Sequence, residues 1–255
     1  MNTIVSNEFT TRAMLALYLR EAKYEFLRVL RTPAFSVPTL VFAPMFYVLF
    51  GVLLNHGNAQ AASYLMVTYT VFGVMGPGLF GFGVGLAMDR ERGLLTLKRV
   101  QPVPALAPLL AKVGMAMVFA AIIGVLLLAL GMTLGGVEMT SSQVALLLCV
   151  AVLGVVPFCA LGLLIGTLVS GNAAPAVVNL IYMPMALLSG LWLPLRMLPD
   201  LVQQMAPLWP AWHLGQLGLK IVDQDSGTPI WMHVAVLLAF SAICLFLAQR
   251  RLQRS

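Results

Sequence analysis

Six long apolar stretches alternate with short polar connections along the chain, and this pattern predicts helices that cross a membrane. An α-helix rises 1.5 Å per residue, so about 20 consecutive apolar residues span the hydrocarbon core of a bilayer. Strands of a membrane barrel would instead alternate apolar and polar residues over about 10 positions. We therefore expect an all-α membrane protein in which residues 1–255 form a single transmembrane domain. The expected spans are residues 35–54, 63–88, 111–134, 143–169, 173–194 and 230–248.

Residues 12–31, just before the first span, show the pattern of an amphipathic helix. Their apolar side chains recur at the i, i+3, i+4 and i+7 positions of one helix face, whereas basic residues and Glu25 occupy much of the remaining surface. Pro33 ends the predicted helix. Direct attachment to a span favours a helix that lies in the cytoplasmic membrane interface, and a helix packed on a soluble partner is the alternative.

The composition agrees with a membrane domain and leaves no soluble one. Hydrophobic residues make up 60% of the chain and charged residues only 9%, with a mean hydropathy of +0.95. A soluble domain carries roughly 25% charged residues. The net charge of +6 lies beside the apolar stretches, as expected next to an anionic leaflet, so we expect a lipid bilayer as partner and no nucleic acid.

The basic residues also predict an orientation. All but two of the 15 Lys and Arg residues lie before the first span, between the second and third, or after the sixth; Arg196 and Lys220 are the exceptions. Basic residues collect on the cytoplasmic side of membrane proteins. We therefore expect both termini in the cytoplasm of a multi-pass protein of the plasma membrane, the inner membrane in bacteria. The connection at 170–172 is cytoplasmic by parity, although it carries no charge.

Glycines in two of the spans indicate close packing between helices. Gly81 and Gly85 are four residues apart, as are Gly162 and Gly166, a spacing that lets helix backbones approach each other. Residues 76–81 also match the dinucleotide-binding pattern Gly-x-Gly-x-x-Gly, but that motif requires a preceding strand and a βαβ unit. Here it lies inside a span, and we attribute its glycines to packing.

The connection 195–229 is long and contains several prolines and tryptophans. Two parts of it still look helical and apolar, and the tryptophans are typical of a membrane interface. We expect short re-entrant helices that dip into the outer leaflet; a plain outer loop is the alternative.

The chain lacks the motifs of an energy-converting enzyme. It contains no Gly-x-x-x-x-Gly-Lys-Ser/Thr phosphate-binding loop, no paired-histidine metal motif and no acid or base near the middle of a span. We therefore expect no enzyme activity, cofactor or metal in this chain. Its energy or chemistry must come from a partner.

Two segments resemble the permease subunits of type-two ATP-binding-cassette exporters, which include drug, polysaccharide and nodulation-factor exporters. The first, within the cytoplasmic segment 89–104, reads Glu91-Arg92-Gly93, then Leu97-Lys98-Arg99 and Pro102-Val103-Pro104. The second begins with Leu188-Ser189-Gly190-Leu191-Trp192-Leu193-Pro194 and continues with Met197-Leu198-Pro199 and Ala206-Pro207-Leu208-Trp209-Pro210. The resemblance extends over essentially the whole chain.

This resemblance implies a partner ATPase, which would hold the ATP and magnesium, and a second permease chain, as in a homodimer. Residues 12–31 would be the interfacial helix, 195–229 the re-entrant segment, and the turn at 170–172 would lie near a second ATPase contact. The segment that couples to the ATPase would include Arg90, Glu91, Arg92, Gly93, Lys98 and Arg99.

The implied function is ATP-driven export of an amphiphilic, lipid-linked or drug-like substrate. A stand-alone channel or carrier, or a membrane scaffold subunit, is the alternative. The charges of 89–104 alone would favour a solvated loop over a docking segment.

Overall fold

Helices account for most of residues 11–94 and 107–252, the part of the chain that a computed structural model describes. The apolar stretches form long helices because an α-helix satisfies its backbone hydrogen bonds internally, which a lipid environment requires. In chain order the helices are α1 Thr11–Leu30, α2 Pro33–Leu53, α3 Ala59–Glu91, α4 Ala107–Thr133, α5 Ser141–Leu168, α6 Ala174–Leu188, α7 Asp200–Met205, α8 Pro210–Ile221 and α9 Ile230–Leu252.

Five of these helices, α2, α3, α4, α5 and α9, are long and apolar enough to cross a membrane. They coincide with five of the predicted spans to within a few residues. Helix α6 falls in the remaining range, 173–194, but has 15 residues, about 22 Å at 1.5 Å per residue, against a hydrocarbon core of about 30 Å. It ends early because Gly190 adopts a left-handed backbone with φ of 72° and turns the chain.

Helix α3 lies at the centre of the bundle. Its 18-residue apolar window is 72% buried, against 22–44% for the other long helices. Aromatic side chains fill the space between α3 and α6: the rings of Phe72 and Tyr182 stack with centroids 4.9 Å apart, and the Tyr182 hydroxyl donates a hydrogen bond of 3.1 Å to the Phe72 carbonyl. The Phe72 carbonyl thus takes the place of the water with which an exposed hydroxyl would form a hydrogen bond.

The backbones of α3 and α5 touch at glycines. A Cβ added to Gly162 would lie 2.5 Å from the carbonyl oxygen of Gly78, and one added to Gly166 would lie 2.7 Å from that of Gly83. The prediction that Gly162 and Gly166 serve close packing is therefore confirmed. Their partners are Gly78 and Gly83, which lie in a π-helical part of α3, Pro77–Val84. That part begins at Pro77, which lacks an N–H group for the regular helix pattern.

Helix α1 packs along α4 with only part of its predicted apolar face, and other residues of that face are exposed. The ring of Phe26 lies 5.3 Å from that of Phe119, and Ala22 lies against Gly114. By contrast, Leu19 is 62% exposed and Leu30 is 38% exposed. The predicted helix is thus confirmed, and its place in the membrane interface stays a prediction.

The region 195–229 forms α7, α8 and two short 3₁₀ turns at Leu195–Met197 and Ala206–Leu208. Hydrogen bonds hold it to the rest of the bundle: the Gln143 side chain donates to the Ile221 carbonyl at 2.9 Å, and the Gln224 side chain donates to the Ser63 hydroxyl at 2.6 Å. Because Ser63 lies at the start of α3 and Asp89 near its end, this region and the predicted coupling segment are at opposite ends of the bundle.

Candidate functional site

The predicted coupling residues begin in the last turn of α3. Arg90 and Glu91 end the helix, Arg92 caps it, and Gly93 has a left-handed backbone with φ of 69°, which glycine adopts without steric cost. The side chains of Glu91 and Arg92 are exposed. Lys98 and Arg99 lie outside the described residues.

Arg90 ties this end of α3 to the end of α5. Its guanidinium donates hydrogen bonds to the carbonyl oxygens of Thr167, at 2.5 Å, and Val169, at 2.9 Å. The last carbonyls of a helix have no partner within the helix and carry the negative end of its dipole, so a cation there is favourable. Arg90 therefore joins two long helices at the point where both leave the bundle.

The turn at 170–172 lies against the end of α3, beside Glu91. A Cβ added to Gly171 would lie 2.6 Å from a carboxylate oxygen of Glu91 and 3.1 Å from the Cα of Met88. The turn can approach α3 this closely because residue 171 has no side chain. The structure thus places Arg90, Glu91, Arg92 and Gly93 beside the turn at 170–172, the two regions that the resemblance connected with an ATPase.

Beside this surface, a network of two acids and two bases joins α1, α3 and α4. The Lys112 ammonium donates to Glu25 at 2.7 Å and lies 2.9 Å from an oxygen of Asp89. The Arg28 guanidinium donates to the same two carboxylates, at 2.6 Å to Glu25 and 3.1 Å to Asp89. Each base therefore bridges both acids, and the charges of the four groups cancel.

The network is largely removed from water. The side chain of Lys112 is 3% exposed, while those of Glu25 and Asp89 are 10% and 13% exposed. Burial lowers the pKa of Arg28, but its hydrogen bond to Asp89 and the charges of both acids outweigh burial and raise that pKa. Buried charges persist only when they are paired and hydrogen-bonded. The network therefore fixes α1 to the start of α4 and the end of α3.

Sequence reasoning missed this network. It placed Glu25 on the polar surface of the first helix and Lys112 among the basic residues of a connection. A signal was present, because Glu25 lies three residues after Ala22 and one before Phe26, within the face that packs on α4. The pairing itself could not be read from the sequence, since Glu25 and Lys112 are 87 positions apart.

Two cavities lie away from this surface. A cavity of about 260 Å³ between α2, α3 and α6 is lined mainly by apolar groups, among them Phe42, Phe80 and Tyr182. A larger one of about 740 Å³ lies at the opposite end, beneath the 195–229 region, and has Trp192, Arg196 and Asp223 in its wall.

The long apolar helices with exposed apolar surfaces define an integral membrane protein. The sequence profile of the ABC-2 type transporter family matches residues 18–221, so the chain belongs to that family and is a transport permease. It is also 29% identical over 230 residues to YvfS of Bacillus subtilis (strain 168), a transport permease by name; the alignment covers 88% of this chain and 92% of YvfS. The resemblance to type-two ATP-binding-cassette permeases is thereby confirmed.

Proposed function

We propose that this chain is the membrane-spanning subunit of an ATP-driven exporter. A separate ATPase subunit binds ATP and magnesium and hydrolyses the ATP, and the permease chain carries no catalytic site. Membership of the ABC-2 type transporter family supports a partner ATPase, and the export direction rests on the resemblance to exporter permeases. The absence of a phosphate-binding loop from the sequence agrees with hydrolysis on another chain.

In this proposal the chain crosses the plasma membrane six times, with α6 as a short fifth crossing. The end of the bundle that carries Arg28, Arg90 and Lys112 faces the cytoplasm, because basic residues prefer that side. Ala248 of α9 packs in one cluster with Leu86 and Leu163 near this end, which brings the basic C-terminal residues to the same side. Helices α7 and α8 are then the re-entrant helices of the outer leaflet.

The observation that carries the proposal is the junction of α3 and α5 at Arg90. Because Arg90 holds the end of α5 and Glu91 meets the turn at 170–172, a protein that pushes on this surface displaces two spans together. The ion network adds α1 and α4 to the same unit. Rigid helices that move as a unit convert closure of an ATPase dimer into a change at the far end of the bundle.

A second copy of this chain completes the pathway. Val37, Val41 and Met45 of α2 recur every four residues and are each 50–55% exposed, which forms an apolar stripe beside the α2–α3–α6 cavity. Such a stripe supports contact with another permease chain. The largely apolar lining of that cavity favours an amphiphilic, lipid-linked or drug-like cargo over a strongly charged one.

The test is Arg90→Ala in the permease reconstituted with its ATPase. Loss of two charge-assisted hydrogen bonds, each contributing about 1.5–3 kcal/mol, should separate the motion of α3 from that of α5. We expect cargo-stimulated ATP hydrolysis and transport to fall by at least about tenfold, the effect of about 1.4 kcal/mol, while the ATPase remains bound. Hydrolysis is measured as phosphate release, and binding by co-purification.

Arg31→Ala is the matched control, because Arg31 is an exposed base at the same end of the bundle but lies outside the predicted coupling segment. It should retain most of the transport. Equal transport by Arg90→Ala and the unmodified protein would contradict the coupling role of the α3–α5 junction.

A further inference from the structure

The region 195–229 meets the last helix at a buried pair of histidines. His213 of α8 is 2% exposed, His233 of α9 is 0% exposed, and their Nδ1 atoms are 2.9 Å apart. The ring of Trp212 contacts both, with its centroid 4.9 Å from that of His213 and 5.4 Å from that of His233. In the sequence these histidines are 20 residues apart and form no motif, so the pair was not predicted.

The hydrogen-bond partners determine which nitrogens carry protons. The Nε2 atom of His213 lies 2.9 Å from the Pro207 carbonyl, which can only accept, so His213 carries its proton on Nε2. Its Nδ1 atom then accepts from Nδ1–H of His233, whose Nε2 atom accepts from the Thr228 hydroxyl at 2.6 Å. Ser226 extends this chain by donating to Thr228 at 3.0 Å. Every group of the chain is satisfied when both rings are neutral.

An added proton disturbs this arrangement. A first added proton can bind at Nε2 of His233 if the hydrogen bonds of the Thr228 and Ser226 hydroxyls reverse their direction. This proton places a positive charge on a fully buried ring. A second, on Nδ1 of His213, would set two N–H donors against each other across 2.9 Å. Burial already lowers the pKa of His213. Opening the contact to water removes both costs, because a solvated imidazolium is stable.

The charged groups nearest the pair do not offset the added proton. Lys220 donates to Asp225 at 2.9 Å and to the Thr228 carbonyl at 3.0 Å. The hydrogen bond from Lys220 lowers the pKa of Asp225, so this carboxylate remains ionised in the range where histidines titrate. Lys220 therefore adds a cation beside His233, and Asp225 is already neutralised by Lys220.

The same loop forms part of the wall of the 740 Å³ cavity. Residues Asp223, Gln224, Asp225 and Ser226 line it, together with Gln216 of α8. The Ser226 amide donates to the Gln216 side chain at 2.7 Å, and the Gly227 amide donates to Asp225 at 3.0 Å. Release of Thr228 from His233 would free this wall on the α9 side.

We propose that His213 and His233 form a proton-sensitive latch that holds the 222–229 loop against α9 and keeps the wall of this cavity closed when both rings are neutral. The latch is closed above the pKa of an unfolded histidine, about 6.5, and weakens as the pH falls below it, because the open state takes up protons that the closed state excludes. If closure of the latch lowers the pKa of a histidine by one unit, protonation of that histidine at low pH weakens the latch by about tenfold. This inference depends on neither the cargo nor the ATPase.

Hydrogen–deuterium exchange of the purified permease in lipid nanodiscs, at pH 7.5 and pH 5.5, tests the latch. After correction for the intrinsic exchange rate at each pH, we expect protection of the amides in 223–228 to fall by about tenfold at pH 5.5. Amides in the middle of α3 should keep their protection. An unchanged protection of the loop in the unmodified protein would overturn the proposal.

Two variants separate the latch from general effects of acid. The double variant His213→Gln/His233→Gln should lose the pH dependence of loop protection. His56→Gln, which alters the remaining histidine of the chain at an exposed position, should retain it. If the double variant lost protection of the loop amides at pH 5.5 to the same extent as the unmodified protein, the proposal would also be overturned.

Tryptophan fluorescence gives a readout that leaves both histidines in place. Because Trp212 contacts both rings, their protonation should quench its emission with a midpoint below pH 6.5, coincident with the loss of loop protection. Trp212→Phe assigns the signal to this residue. Absence of quenching between pH 8 and pH 5 would contradict the latch even if the double variant did not fold.

Discussion

Lys112→Met should destabilise the folded protein by about 3–5 kcal/mol, the usual cost of removing one partner from a buried ion pair. Lys112 is the buried base of the network, and its loss leaves Glu25 and Asp89 facing each other with only Arg28, whose side chain is 47% exposed. Methionine keeps most of the volume, so the effect reports the charge. The measurement is the free energy of unfolding in mixed micelles, followed by circular dichroism.

Lys23→Met is the matched control, since Lys23 is an exposed base on α1 and should change stability by less than about 0.5 kcal/mol. Adding Glu25→Gln to Lys112→Met should recover part of the lost stability, because one uncompensated charge is removed. A loss below about 1 kcal/mol in Lys112→Met would show that the network does not hold α1 to the bundle.

Gly162→Ala should destabilise the protein by about 3 kcal/mol and separate α3 from α5. The added methyl would lie 2.5 Å from the Gly78 carbonyl oxygen and 3.1 Å from the Gly83 amide nitrogen. Both neighbours are backbone atoms, so relief requires a shift of the whole helix. Because this contact also positions the α3–α5 junction, we expect transport to fall along with the unfolding free energy.

Gly114→Ala provides the comparison. This glycine lies in α4, and an added Cβ would have its nearest neighbour, Ala22, at 3.4 Å, an ordinary contact. The change should be stabilising by up to about 1 kcal/mol, because alanine has the higher helix propensity. If Gly162→Ala were equally well tolerated, the close approach of α3 and α5 would not be a requirement of the fold.

Much of the fold could be predicted because a span is specified locally, by its own run of apolar residues. Helices α2, α3, α4, α5 and α9 fall where those runs are. Helix α6 is shorter than its run because Leu191 to Pro194 are apolar but follow the turn at Gly190, and hydropathy does not register a change of backbone direction. The glycines of α5 were correctly attributed to packing, since only small residues allow such contact.

The candidate site was predictable only in outline. The position of Arg90, Glu91, Arg92 and Gly93 at the end of a span follows from the apolar run that precedes them. Their contacts with 167–171 do not, because they join residues that lie more than 70 positions apart. The ion network was missed because Lys112 and Glu25 lie 87 positions apart, so that its members looked like ordinary interfacial charges. The histidines are only 20 positions apart, but they lie on different helices and form no motif, so the sequence showed them as isolated residues.

In the proposed mechanism this permease works with a separate ATPase that binds at the ends of α3 and α5. The most direct test replaces the exposed Arg92 by a photo-crosslinking amino acid, irradiates native membranes, and identifies the attached protein by mass spectrometry after purification. We expect a soluble protein with a phosphate-binding loop, crosslinked at Arg92 and not at exposed positions of the opposite end such as Asp223. Repeated recovery of the intact permease without such a protein would contradict the account and favour a stand-alone channel, carrier or scaffold.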